Sequence, residues 1–413
     1  MVFDMSVNID SELIDNELPA VVDGEILANQ RRRGMFFVSL AVAGVGFALT
    51  LQIALNANFA VQEMNLDGYH QGILEAFRES CGIFAFILLA LLAGLAEPII
   101  GAIVLVFLAV GLGSYCFVPA PVSPWMEHFP WLVVASMVWS QGLHIWMPLP
   151  NSMTLAMSEP GRAGRNLGVV SAAGAAGSAV GLAVAITLTY FHWLPIRPLY
   201  IVAGAAALVA AVACIGIPRG IKVPGNKLVF RWKYWLFYMM NFLEGWRKQI
   251  FMAFAGYFLV KKYGTPLETM LLLYLIIQCI SWVISPFVGR LIDRIGERKI
   301  LVFYYASLTF VFVGYSQIQH AYLLYALFIL DSAFFACTMA MTTYVNRIAP
   351  PCDHTATLSM GVAINHVAAV AMPFVGAWIW EHYGYQWVFY LGVIGAAASV
   401  GLVLLLPRHK PAI

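Results

Sequence analysis

The chain has 413 residues, of which 61% are hydrophobic and 11% charged, with a formal net charge of +2 and a mean hydropathy of +0.81. Soluble domains carry roughly 45–50% apolar and about 25% charged residues, so composition excludes a soluble protein. Apolar runs of about 20 residues, each able to cross ~30 Å of hydrocarbon, recur along the chain. The ~10-residue alternating segments of a membrane barrel are absent, which leaves a polytopic α-helical membrane protein.

Seven acids (Asp4, Asp10, Glu12, Asp15, Glu17, Asp23, Glu25) precede the first basic residue, Arg31. Residues 1–33 therefore read as an acidic, solvated tail with little to bury, and the N-terminal pattern of a cleavable signal is missing. Six spans are expected near 35–59, 69–93, 98–118, 131–156, 167–190 and 198–217. A polar linker over 218–231 follows. Six more spans are expected near 232–260, 268–289, 299–318, 321–346, 358–380 and 386–406, with 407–413 as a second tail. The six cysteines are scattered and read as packing residues, with no metal or disulfide spacing.

Basic residues favour the cytoplasmic side. With the N-terminus inside, 17 of the 23 Lys and Arg fall in cytoplasmic segments, and only Arg197, Lys261 and Lys262 fall outside. Both termini are thus expected in the cytoplasm, in an inner or plasma membrane. Shifting the two halves by 195 residues aligns Gly94 with Gly289 and Asn151 with Asn346. A shift of 193 aligns Gly168-Val169 with Gly361-Val362. Equal span number and loop pattern point to a duplicated six-helix unit.

The loop after the eighth span reads Gly289-Arg290-Leu291-Ile292-Asp293-Arg294-Ile295-Gly296-Glu297-Arg298-Lys299. Gly289 would allow close helix contact, Asp293 would bond backbone N–H groups at a helix start, and Gly296 would permit a tight reversal. Arg294, Arg298 and Lys299 would hold the loop in the cytoplasm. This segment resembles the signature loop of the major facilitator superfamily. The first-half counterpart, Gly94-Leu95-Ala96-Glu97-Pro98, lacks the basic cluster, and Val138 stands where a family motif ending in Gln141-Gly142 has arginine. The resemblance implies an all-α integral membrane protein of 12 transmembrane helices in two pseudo-symmetric six-helix bundles. It also implies a secondary transporter with its site between the bundles.

Seven charges lie within expected spans: Glu75, Arg78, Glu79, Glu244, Arg247, Lys248 and Asp331. Unpaired and facing lipid, they would cost on the order of 20 kcal/mol together. Helical spacing puts Glu75, Arg78 and Glu79 on one arc of the second span, and the seventh span repeats the pattern with the opposite balance. The family architecture brings these spans together, so the expectation is a charge network across the halves that gates the path or cups a solute. Glu75, Glu79 and Asp331 are proton-carrier candidates, since paired carboxylates in low dielectric resist joint ionisation. Gln141, His144, Trp146 and Trp246 add polar and aromatic candidates for substrate contact, and His366 a second histidine.

The expected function is alternating-access transport of a small polar, ionisable organic solute, with protons as coupling partner. The alternative is a non-transporting membrane sensor or assembly factor on the same scaffold. No enzymatic motif and no nucleotide-binding loop is present, and no cofactor, metal or nucleic acid is expected. The lipid bilayer is the surrounding partner and the chain is expected to act as a monomer.

Overall fold

The computed structural model describes residues 24–92, 94–119, 129–159, 162–221 and 230–407. The acidic segment up to Asp23, most of the linker, and the last residues lie outside the described residues. Among those described, the regular elements are all helical: α1 Gly24–Asn58, α2 Gly68–Leu91, α3 Glu97–Ser114, α4 Phe129–Trp146, α5 Leu149–Ala156, α6 Ala163–Tyr190 and α7 Ile196–Ile215 in the first half. The second half holds α8 Trp235–Tyr263, α9 Leu267–Ile295, α10 Glu297–Gln317, α11 Ala321–Phe334, α12 Met339–Ile348, α13 Pro351–Tyr383 and α14 Tyr385–Val403.

The pairs α4/α5 and α11/α12 are each one broken span, so the fourteen helices make the twelve crossings of the expected fold. α1 starts at Gly24, inside the stretch expected as tail, and ends in a π-helical turn, Phe59–Glu63. Ten of the crossings are long and apolar enough to traverse a membrane by composition among the described residues. The two others are α2 and α8, the helices that carry the charged clusters.

The break between α4 and α5 follows from Pro148 and Pro150, which lack the N–H groups a continuous helix needs. Thr154 Oγ1 donates to the Pro150 carbonyl at 2.6 Å, within the short helix that follows the break. Within the first bundle, small residues set the approach of neighbouring helices. A Cβ at Gly177 of α6 would lie 1.9 Å from the Ala43 carbonyl oxygen of α1, so only glycine lets these backbones touch. α9 and α10 are joined by one residue, Gly296 (φ 86°, ψ 157°), and α13 and α14 by Gly384 (φ 89°, ψ 170°). That conformation belongs almost wholly to glycine.

Each bundle has its own apolar core, and the cores interleave at one end only. Ala57 packs into the second core, while Tyr257, Leu267 and Leu271 pack into the first. At this far face, opposite the linker, Asn58 Nδ2 donates to the Thr265 carbonyl at 2.9 Å. Tyr257 Oη and Lys261 Nζ both donate to the Leu66 carbonyl, at 2.8 and 3.0 Å. Gly68 and Gly72 of α2 let Trp380 and Ala377 of α13 close against them. Toward the linker face, a Cβ at Gly168 of α6 or Gly289 of α9 would meet no atom within 4 Å.

Candidate functional site

A cavity of about 500 Å³ lies on the seam between the bundles, lined from α1, α2 and α4 on one side and α8, α9, α11 and α13 on the other. Its charged side chains are Arg78, Glu79 and Lys248, and its histidines are His144 and His366. Trp139, Phe251, Tyr274 and Phe328 supply aromatic wall.

On α2, the guanidinium of Arg78 bridges both acids. It donates to Glu75 Oε1 at 2.8 Å and to Glu79 Oε1 at 3.0 Å. Asn56 and Gln71 each donate to Glu75 Oε1 at 3.3 Å, so Glu75, only 1% exposed, is held by amides and a cation together. Gln71 also reaches across the seam to the Ala253 carbonyl of α8 at 3.2 Å. Arg78 lies over the Trp139 ring, 5.7 Å from its centroid. Burial of this kind demands partners, because an unpaired ion in low dielectric is costly.

The expected network between the two charged clusters does not form. Arg247, 1% exposed, turns into its own bundle, where it pairs with Glu244 and with Asp331 Oδ1 at 3.4 Å. Tyr304 Oη lies 2.6 Å from Arg247 Nη2 and donates to Glu244 Oε1 at 3.1 Å. Successive helical residues point about 100° apart, so Arg247 and Lys248 cannot share a direction. Lys248 faces the cavity and donates to Asn365 Oδ1 at 3.4 Å. Glu244, Arg247 and Asp331 therefore form a sealed ion cluster beside the cavity and do not line it.

Two tryptophans are also displaced from the expected site. Trp246 donates to the Leu391 carbonyl at 3.1 Å and packs on Gly395 of α14, and Trp146, 3% exposed, packs on Gly101 of α3. Gln141 is half-buried on α4 and does not line the cavity. The histidines do meet: the rings of His144 and His366 are 5.0 Å apart, edge to face, and His366 Nδ1 is 3.7 Å from Glu79 Oε2. That is the one ion contact joining the two bundles among the described residues.

In the signature loop, Gly296 makes the reversal with φ 86°, and Arg298 donates to the Leu406 carbonyl at 3.2 Å. Arg294 and Lys299 are exposed. Two expectations fail there. A Cβ at Gly289 would meet no atom within 4 Å, so no close helix approach there requires a glycine, and Asp293 is exposed, with no hydrogen bond among the described residues. The helix-start acids are instead Glu97 and Glu297, the first residues of α3 and α10. Glu97 accepts from Ser152 Oγ at 2.6 Å, and Glu297 pairs with Arg347 at 3.1 Å. Each acid is tied to the end of its bundle's broken span, a symmetry that simple residue alignment does not reveal.

A second cluster that the sequence reading missed anchors the start of α13. Asp353 accepts from Lys233 and Tyr234 at 2.8 Å and from Arg231 at 2.9 Å. Hydrogen bonds from Lys233 and Tyr234, with the charge of Arg231, hold its carboxyl below the ordinary aspartate range. Its signals were a lone acid after Pro350-Pro351 and a basic linker end.

Residues 234–413 match the family described as the Major Facilitator Superfamily, and no curated protein matches the chain. Among solved structures, a point mutant of the nucleoside transporter NupG superposes with a TM-score of 0.73 at 13% identity, covering 90% of this chain and 98% of that one. A bacterial homologue of the human lysosomal transporter Spinster, inward-facing and occupied, gives 0.70 at 12% identity over 93% and 99%. A D-xylose–proton symporter gives 0.65 at 14% identity over 92% and 99%. The second half of the chain thus matches the Major Facilitator Superfamily in sequence, and the chain as a whole shares the fold of these transporters.

Proposed function

We propose that this protein is a secondary active transporter that moves a small polar, ionisable organic solute by alternating access, coupled to protons. The observation that carries the reading is the seam cavity, in which Arg78 and Glu79 from one bundle face Lys248 from the other. Cationic groups beside one carboxylate suit an anionic or zwitterionic solute, and the aromatic wall suits its apolar part. The volume of about 500 Å³ lies in the usual ligand-pocket range of roughly 300–1,000 Å³.

The distribution of Lys and Arg favours a cytoplasmic linker face, so a seam sealed at the far face corresponds to an inward-facing state. The bundles then divide near 34–217 and 232–406, with 218–231 between them as the cytoplasmic linker. One chain supplies every wall of the cavity, so a monomer suffices. Glu79, in contact with His366 across the seam, is the proton carrier that geometry favours over the sealed Asp331 and over Glu75, which Arg78, Asn56 and Gln71 hold away from the cavity lining.

The test is uptake in proteoliposomes with an imposed pH gradient, after a thermal-stability screen of the purified protein has found a solute. A bound solute raises stability by mass action. Lys248→Met should raise apparent KM, and Glu79→Gln should remove the dependence on the gradient. Uptake of the hit that ignores both the gradient and a protonophore would exclude proton coupling. Absence of uptake for every solute that binds would exclude transport.

A further inference from the structure

One carboxylate and two imidazoles converge where the bundles meet. Donor atoms of Glu79 (α2), His144 (α4) and His366 (α13) all lie within 4.8 Å of one another, and Glu79 Oε2 and His366 Nδ1 are 3.7 Å apart. We propose that these three residues form a binding site for a divalent first-row transition metal, Zn²⁺ foremost, which staples the two bundles together at the middle of the seam.

The surroundings orient the donors as a metal site requires. His144 Nδ1 lies 2.8 Å from the Ser140 carbonyl, which can only accept. Nδ1 therefore carries the proton and Nε2 keeps its lone pair, the arrangement that metal-binding histidines share. Arg78 occupies Glu79 Oε1 at 3.0 Å, leaving Oε2 toward His366. His366 is seated against Gly82 of α2, where a Cβ would come within 2.4 Å of Nδ1.

Two nitrogens and one oxygen suit zinc and its neighbours better than magnesium or calcium. The counter-charges are Glu79 itself and Glu75. Lys248 and Arg78 are the cations nearby, Arg78 being paired with both acids. Tetrahedral zinc with bonds of about 2.0–2.1 Å sets donors roughly 3.3 Å apart. Ligation thus draws the three groups together by at most about 1.5 Å from the present 4.8 Å limit. Because His366 belongs to the other bundle, this contraction tightens the seam, and a bound ion slows the cycle. Three protein ligands leave a fourth position for water or a solute oxygen.

The experiment uses the chelator-treated full chain in detergent micelles, titrated with Zn²⁺ for thermal stability and with Co²⁺ for visible absorption. The expected result is a rise in Tm with Zn²⁺ and the intense bands of tetrahedral Co²⁺. His144→Ala and His366→Ala should each weaken binding more than tenfold, while a variant lacking all six cysteines keeps it. Gly82→Ala, which leaves all three ligands in place, should weaken binding by displacing His366. Binding undiminished in the double histidine variant, or lost with the cysteines, overturns the proposal, as does the absence of both signals. Glu79 keeps its Arg78 partner in either histidine variant, so both should fold. The readout needs no solute, so a negative result leaves the transport reading intact.

Discussion

Adjacent residues on α8 should fail in opposite ways when mutated. Arg247 is 1% exposed and serves Glu244, Asp331 and Tyr304 at once. Arg247→Met removes the only cation from two buried carboxylates, and breaking a buried pair in this way costs about 3–5 kcal/mol. Lys248, half-buried on the cavity wall with Asn365 as its hydrogen-bond partner, has less to lose, so Lys248→Met should cost at most about 1 kcal/mol. Denaturant unfolding in mixed micelles measures both, and binding of the solute measured on the same samples separates fold from site. Arg247→Met should lose stability while the surviving folded fraction binds normally. Lys248→Met should keep stability and lose affinity. Combining Arg247→Met with Glu244→Gln and Asp331→Asn should restore much of the loss, because the orphaned charges disappear with their partner. An Arg247→Met protein that is fully stable but cannot bind solute would refute the assignment of this cluster to structure.

Three further outcomes are expected. Gly296→Ala should cost about 1–3 kcal/mol, since φ 86° with ψ 157° is essentially closed to a residue with a Cβ, and thermal unfolding reads this directly. Gly72→Val should wedge α2 from α13, where a Cβ already lies 2.6 Å from Ala377 Cβ. A cysteine at Gln52, with the native cysteines replaced, should then react faster with an impermeant maleimide applied from the far face. Asp353 is ionised more readily folded than unfolded, so its contribution is complete above the unfolded pKa of about 3.9 and fades as pH falls through the lower folded value. The Tm gap between wild type and Asp353→Asn should accordingly stay constant from pH 8 to pH 5 and shrink only below about pH 4.

The helices were legible because each apolar run must be long enough to span hydrocarbon, whereas the break at Pro148 and Pro150 fell inside a stretch, 131–156, that reads as one span. Charged residues were legible as a group, since seven ions inside spans demand partners. Their partners were not. Whether Arg247 meets Glu75 across the seam or Asp331 in its own bundle depends on helix rotation, and a helix with polar residues on several faces does not declare which face it buries. Tyr304 was invisible for the same reason: as one of a Tyr304-Tyr305 pair in an aromatic helix, nothing local marks which hydroxyl meets the ions. Gln71 was readable in principle, standing one helical turn before Glu75. The meeting of His144 with His366 needed the register of α4 against α13, which spacing along one chain does not supply.

The two ion clusters are closed circuits, each contained within a single rigid body. When the far face parts, the contacts that break are the Asn58, Gln71, Tyr257 and Lys261 donations to backbone carbonyls, together with Glu79 and His366. Arg78 and Arg247 keep their carboxylates throughout. Parting that face would therefore not separate a buried guanidinium from its counter-ion, and the neutral hydrogen bonds lost there are each worth about 0.5–1.5 kcal/mol, beside the Lys261 bond and the apolar contacts of Ala57 and Tyr257. Water entering the seam could replace such bonds nearly one for one, so the polar contacts at that face are of a kind that the proposed alternation of access would exchange at low cost.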